Sequence, residues 1–109
     1  MKNFVQPGNT LTLIAPLGGV MSGSGVLVGS IFAVAAFVAA EGEEFEGTVE
    51  GVFTLPKAAG AIPQGAKVYW DDAAKNITTV SSGNTLIGVA TVAAADADPE
   101  ASVRLNGSF

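Results

Sequence analysis

A turn residue interrupts this chain every few positions, and that spacing restricts its fold more than any other feature. The sequence holds 14 glycines and 5 prolines in 109 residues. Pro7-Gly8, Gly18-Gly19, Gly23-Ser24-Gly25, Pro63-Gln64-Gly65 and Ser82-Gly83-Asn84 are turn clusters. Between them lie apolar segments too brief for helices of ordinary length. Short apolar segments punctuated this closely are the pattern of an all-β sandwich or barrel. The expectation is a single β domain over residues 1–109, with about eight short strands and little helix.

The strands can be placed from alternation. Residues 10–15 (TLTLIA) alternate threonine with larger apolar side chains, as a half-buried strand does. Residues 26–28 follow as a buried strand. Residues 31–40 (IFAVAAFVAA) carry helix-favouring alanines, but Gly29 and Glu41-Gly42 bracket a run too short for a helix. They are expected as a strand, with Phe32, Val34 and Val38 on one face and Ile31, Ala33 and Phe37 on the other. Residues 43–54 form a strand with one wet side, and Lys57-Ala58-Ala59-Gly60 a single helical turn. Residues 66–70 (AKVYW) and 77–80 pair across a loop, 71–76, whose aspartates accept local backbone N–H bonds and whose Asn76 tolerates the left-handed region. Residues 86–93 and 102–105 complete the set. Residues 1–10 are expected as an extended N-terminal arm that could pair with a strand of another protein.

Composition removes most chemistries. Hydrophobic residues make up 49% and charged ones 14%, the reverse of a disordered chain. The net charge is −5 and the closest basic residues, Lys67 and Lys75, are eight positions apart, so nothing resembles a phosphate-neutralising cluster and no nucleic-acid partner is expected. Without cysteine or histidine there is no disulfide, no thiolate, no imidazole base and no Cys- or His-based zinc site. Residues 3–40 carry no formal charge and the mean hydropathy is +0.46, yet the longest clean apolar run is about half of what a spanning helix needs. No signal peptide is recognisable. The expectation is a soluble, unprocessed chain from a reducing compartment or a particle assembled there.

Several clusters imitate functional sites. The glycine-rich stretch 18–29 (GGVMSGSGVLVG) lacks the lysine of a P-loop and the βαβ setting of a dinucleotide fingerprint, so it reads as turns. Asp96, Asp98 and Glu100 alternate like calcium ligands, but Pro99 interrupts them and the glycine of an EF-hand loop is missing. Asp71 and Asp72 are adjacent and point to opposite faces of an extended chain. Glu41, Glu43, Glu44, Glu46 and Glu50 hold half the acidic side chains and read as a solvated strand edge or a patch facing a basic partner. Lys57 lies in LPKAAGAIP with no second reactive group beside it, and is expected as a surface or interface lysine. Of the neighbours Tyr69 and Trp70, adjacent in a strand, one facing outward would suit a subunit interface, but core packing of both is the favoured expectation.

The order of segments then resembles a known family. MKNFVQPGNTLTL, SGSGVLVGSIFAVA, EGTVEGVFTLPKAAG, GAKVYWDDAAKNITT, and NTLIGVA with VRLNG are together similar to the capsid cement, or head decoration, proteins of tailed phages and prophages. The strongest matches are LPKAAG (55–60), AKVYWDD (66–72) and IGVA (87–90); the apolar AFVAA (36–40) departs from the family pattern. Such proteins have also been labelled phage recombinases, against which the absent P-loop lysine and βαβ pattern argue.

The resemblance implies a structural virion protein, not an enzyme, that binds the outside of a phage capsid and bridges subunits of the major capsid protein. It implies no cofactor, metal, small-molecule substrate or membrane, location on the virion after assembly in the host cytoplasm, and a homotrimer, since capsid lattices offer three-fold sites. The expected contact residues are Phe4, Val5, Gln6 and Pro7 of the arm, with Lys57, Tyr69 and Trp70. Competing expectations are a non-catalytic module elsewhere in the virion, a carboxylate hydrolase acting at Asp71, Asp96 or Glu50, and a membrane-surface protein using residues 31–40.

Overall fold

The computed structural model describes residues 9–106. They form nine β-strands in two sheets, with no helix among the described residues. The all-β expectation holds. Contacts divide the chain into two compact units, Met1–Glu50 and Gly51–Phe109.

In the first unit, β1 (Thr10–Ile14), β2 (Gly25–Val28), β3 (Ile31–Ala35) and β4 (Glu44–Thr48) form an antiparallel sheet in the order β1-β4-β3-β2. Alternation decides which face each residue takes. Leu13 pairs with Phe45 on the inner face, while Thr12 pairs with Glu46 and Ile14 with Glu44 on the outer one. Ala15, Val20, Val26, Ala35, Ala39 and Phe45 form the core, with Leu13 and Val28 packed against it.

Two expected strands are corrected here. Residues 31–40 are extended only to Ala35; Ala36 N–H then donates to the Glu46 carbonyl, the chain bends, and Ala39 pairs with Val20 instead. Phe37 and Val38 leave the sheet and are exposed. Residues 43–54 are two strands, because the run breaks at Val49, whose N–H goes to the Asn9 carbonyl. Gly51, two residues on, has φ +120°, a conformation that side chains with a Cβ rarely adopt.

The second unit holds β5 (Glu50–Pro56), β6 (Lys67–Asp71), β7 (Asn76–Thr78), β8 (Thr85–Ala90) and β9 (Glu100–Asn106), in the order β5-β9-β8-β6-β7. Leu55, Val68, Trp70, Ile77 and Val103 are its most fully buried large side chains. A register shift between Val68 and Tyr69 marks a bulge against β8. At the centre of the sheet Gly88 pairs with Val68 on one side and Leu105 on the other. A Cβ there would collide with the Arg104 carbonyl, so two backbones approach as closely as only glycine permits.

The loop joining β6 to β7 forms as its composition suggests. Asp71 Oδ1 accepts the N–H groups of Ala73 and Ala74, both at 3.1 Å, and the Asp71 carbonyl accepts Lys75 N–H at 2.7 Å. The left-handed residue is Lys75, with φ 58°, rather than Asn76. The expected helical turn at 57–60 is absent: Lys57 forms a parallel bridge with Ile77 and the chain bends after it. Among the described residues no helix is long and apolar enough to cross a membrane.

Candidate interaction surface

In the first unit two loops meet and carry apolar side chains that face solvent. Val20 and Ala39 exchange both backbone hydrogen bonds, at 2.9 and 3.0 Å, and both side chains enter the core. Their neighbours Met21 and Val38 therefore point the opposite way, into solvent. Phe37 is 70% and Leu17 89% exposed. The loops that carry these four apolar side chains are held by hydrogen bonds. Ser22 Oγ donates to the Ala36 carbonyl at 3.0 Å, Gly23 N–H to the Ala35 carbonyl at 2.8 Å and Gly19 N–H to the Pro16 carbonyl at 2.9 Å.

Carboxylates tie the same loops together. Glu41 Oε1 accepts Gly18 N–H at 3.1 Å and Glu43 Oε1 accepts Ala40 N–H at 2.8 Å. On the neighbouring outer face of β1 and β4, Glu46 accepts the Thr12 hydroxyl at 2.8 Å and Glu44 lies opposite Ile14. Over the described residues of this unit there are five glutamates and neither lysine nor arginine. Burying one such apolar side chain against a partner is worth about 1.5–3 kcal/mol, so exposed side chains of this kind on hydrogen-bonded loops have the capacity to dock.

The sequence pattern placed Phe37 and Val38 within a strand rather than on an exposed loop, and did not single out Leu17 or Met21. The available signal was length: a run of ten apolar residues exceeds the usual strand of about 5–6, so its end had to go elsewhere.

Phe4, Val5, Gln6 and Pro7 lie outside the described residues, as does most of the arm. Lys57, expected at a surface or interface, is only 8% exposed. Its Nζ donates to the carbonyls of Ala58, at 2.9 Å, and Asp96, at 3.0 Å. Trp70 is 2% exposed and Tyr69 half-buried, so the two neighbours in β6 divide between core and a more open face. Trp70 Nε1 donates to Asp72 Oδ1 at 3.1 Å, and Lys75 Nζ to the same oxygen at 2.7 Å. The lysine's hydrogen bond, against a smaller opposing effect of burial, holds the Asp72 carboxyl below its ordinary value of 3.8.

The imitators of active sites resolve into backbone supports. Asp98 Oδ2 accepts Ala95 N–H at 2.8 Å and Asp96 Oδ1 accepts Gly60 N–H. Among the described residues no three acidic side chains gather as metal ligands would.

The family decides what these surfaces belong to. A family model described as phage cement protein matches residues 5–105, nearly the whole chain. The chain belongs to the phage cement proteins. No curated protein and no solved structure matches it. As a cement protein it is a phage structural protein associated with the capsid.

The segments carrying the family resemblance do structural work in this cement protein. In LPKAAG, Leu55 is fully buried, Lys57 fastens the loop at Asp96, and Gly60, at φ +119°, presents its N–H to the Asp96 carboxylate. In AKVYWDD, Val68 and Trp70 fill the core and the aspartates order the hairpin loop. In IGVA, Ile87 and Ala90 are buried on either side of the close approach at Gly88.

Proposed function

We propose that this cement protein binds the outside of an assembled phage capsid and stabilises it by bridging neighbouring subunits of the major capsid protein, acting as a homotrimer without catalysis. The observation that carries this reading is the family match over residues 5–105. Physical features support it. A cement function needs a rigid body with surface that associates, and both units have hydrogen-bonded sheets with apolar side chains left outside. Three of the carboxylates that could have pointed to chemistry serve the backbone: Asp71, Asp96 and Asp98 each accept N–H groups of loops. Trimerisation is the closed association that matches three-fold positions of a capsid lattice.

The experiment is to add the purified protein to heads assembled without it, sediment them, and heat both preparations. Bound protein should appear with the heads in a fixed ratio, and decorated heads should rupture at a higher temperature. Failure to co-sediment would overturn the capsid-binding reading. Binding without any gain in head stability would overturn the stabilising role alone.

A further inference from the structure

We propose that the apolar tip formed by Leu17, Met21, Phe37 and Val38 is the surface by which the protein seats on the head, entering an apolar depression rimmed by lysine or arginine side chains on a capsid subunit. This rests on the capsid-binding reading above and names the face and the chemistry of the contact.

Four observations converge on it. All four side chains are exposed. They are carried by loops that the Val20–Ala39 pair and the Ser22, Gly23 and Gly18 hydrogen bonds hold in place, so docking costs little ordering entropy. The inner side of the same loops is the unit's own core, through Val20 and Ala39, which leaves the outer side available. Glu41 and Glu43 are bonded to the same loops, at Gly18 and Ala40, Glu44 follows at the start of β4, and no cation occurs among the described residues of this unit.

Charge selects the occupant. Two copies meeting tip to tip would bring these carboxylates together, within the roughly 10 Å over which charges act at 0.1 M salt. An anionic membrane or a nucleic acid is disfavoured for the same reason. A protein surface with basic residues around an apolar centre satisfies both components, the rim setting approach and register and the centre the residence time.

The test uses the full chain with three changes made separately: Phe37→Ser with Val38→Ser, Glu44→Lys, and Phe37→Leu. All lie on exposed positions, and circular-dichroism melts establish that each folds. Binding to undecorated heads is measured by co-sedimentation, self-association by light scattering, and lipid binding with vesicles containing phosphatidylserine. The double serine variant should lose about tenfold or more in head affinity, Glu44→Lys should weaken binding and flatten its salt dependence, and Phe37→Leu should bind as the parent does. Parent binding should weaken as salt rises from about 50 to about 500 mM.

If the parent binds heads and the double serine variant binds equally well, the tip is not the seat and the capsid reading survives. If the parent binds no heads, the capsid reading fails and the inference falls with it. A double serine variant whose loss is one of self-association, or of vesicle binding, overturns the proposal in favour of a second copy or a membrane.

Discussion

Lys57 shows how a single side chain can fasten a fold. It is nearly buried, and its Nζ donates to the carbonyls of Ala58 and Asp96. Lys57→Met keeps the apolar stem but leaves both carbonyls without this partner. The expected cost is about 2–3 kcal/mol, seen as a thermal transition lowered by on the order of 10 °C in a circular-dichroism melt. Gly88 is a different kind of constraint. The atom that Gly88→Ala would add meets the Arg104 backbone rather than a movable side chain. Two paired strands must separate to admit it, so a loss of about 3 kcal/mol is expected, measurable as a shifted denaturant midpoint with an unchanged slope. Asp72 supplies a pH dependence of known sign. Lys75, hydrogen-bonded to it, lowers its pKa in the folded chain, so its contribution is present above the ordinary value near 3.8 and is lost as pH falls through the lower folded value. Because the side chain is 47% exposed, that contribution is a fraction of about 1 kcal/mol. The stability difference between parent and Asp72→Asn should therefore shrink as the pH is taken from about 5 to about 3; a difference that grew with acid would contradict the assigned ion pair.

At the scale of elements, most strands were legible because turn chemistry and alternation agree. Pro63-Gln64-Gly65 delivers β6, and the Asp71 loop returns it to β7 with its backbone bonds supplied by the aspartate. Two features were not legible. The alanine-rich run 31–40 has no polar alternation to show where the sheet ends, and only the Ala36 bond to Glu46 and the Val20–Ala39 pair, both distant in sequence, decide it. The run 43–54 alternates well enough to look like one strand, yet its halves go to different sheets. The break falls at Val49, and Gly51, exposed and already in β5, takes φ +120°. A Cβ at Gly51 would also press on the Phe53 ring, at 3.3 Å. Gly51→Val should thus destabilise by about 1–3 kcal/mol through backbone strain, while Val52→Thr, at an exposed position of the same strand, should leave the thermal transition within about 1 kcal/mol of the parent. Equal effects of the two would mean that the conformation of residue 51 is unimportant. Of the candidate site, the acidic patch was visible in sequence and the apolar tip was not, since exposure of an apolar residue follows from contacts that sequence order does not display.

On the scale of the molecule, charge is divided unevenly between the two units. The first has five glutamates and no cation among its described residues, whereas the second sets Asp71, Asp72, Asp96, Asp98 and Glu100 against Lys57, Lys67, Lys75 and Arg104. Closed three-fold symmetry places three copies of any axial residue side by side. An axis through the first unit would gather carboxylates with nothing to neutralise them, and such a trimer would loosen as salt is removed and screening lost. An axis through the nearly balanced second unit would be indifferent to salt, and exposed Val80 and Val92 give that unit apolar surface to contribute. The proposed trimer is therefore expected to keep a mass three times the 10.9 kDa of the chain in light scattering at both about 50 and about 500 mM salt. Head binding should weaken over the same range, which separates the contact that builds the trimer from the contact that seats it. Dissociation at low salt would move the axis to the acidic unit and place the trimer contact where the head contact is proposed. A mass of 10.9 kDa at every concentration would overturn a trimer formed before the capsid is reached, leaving three-fold association to the shell itself.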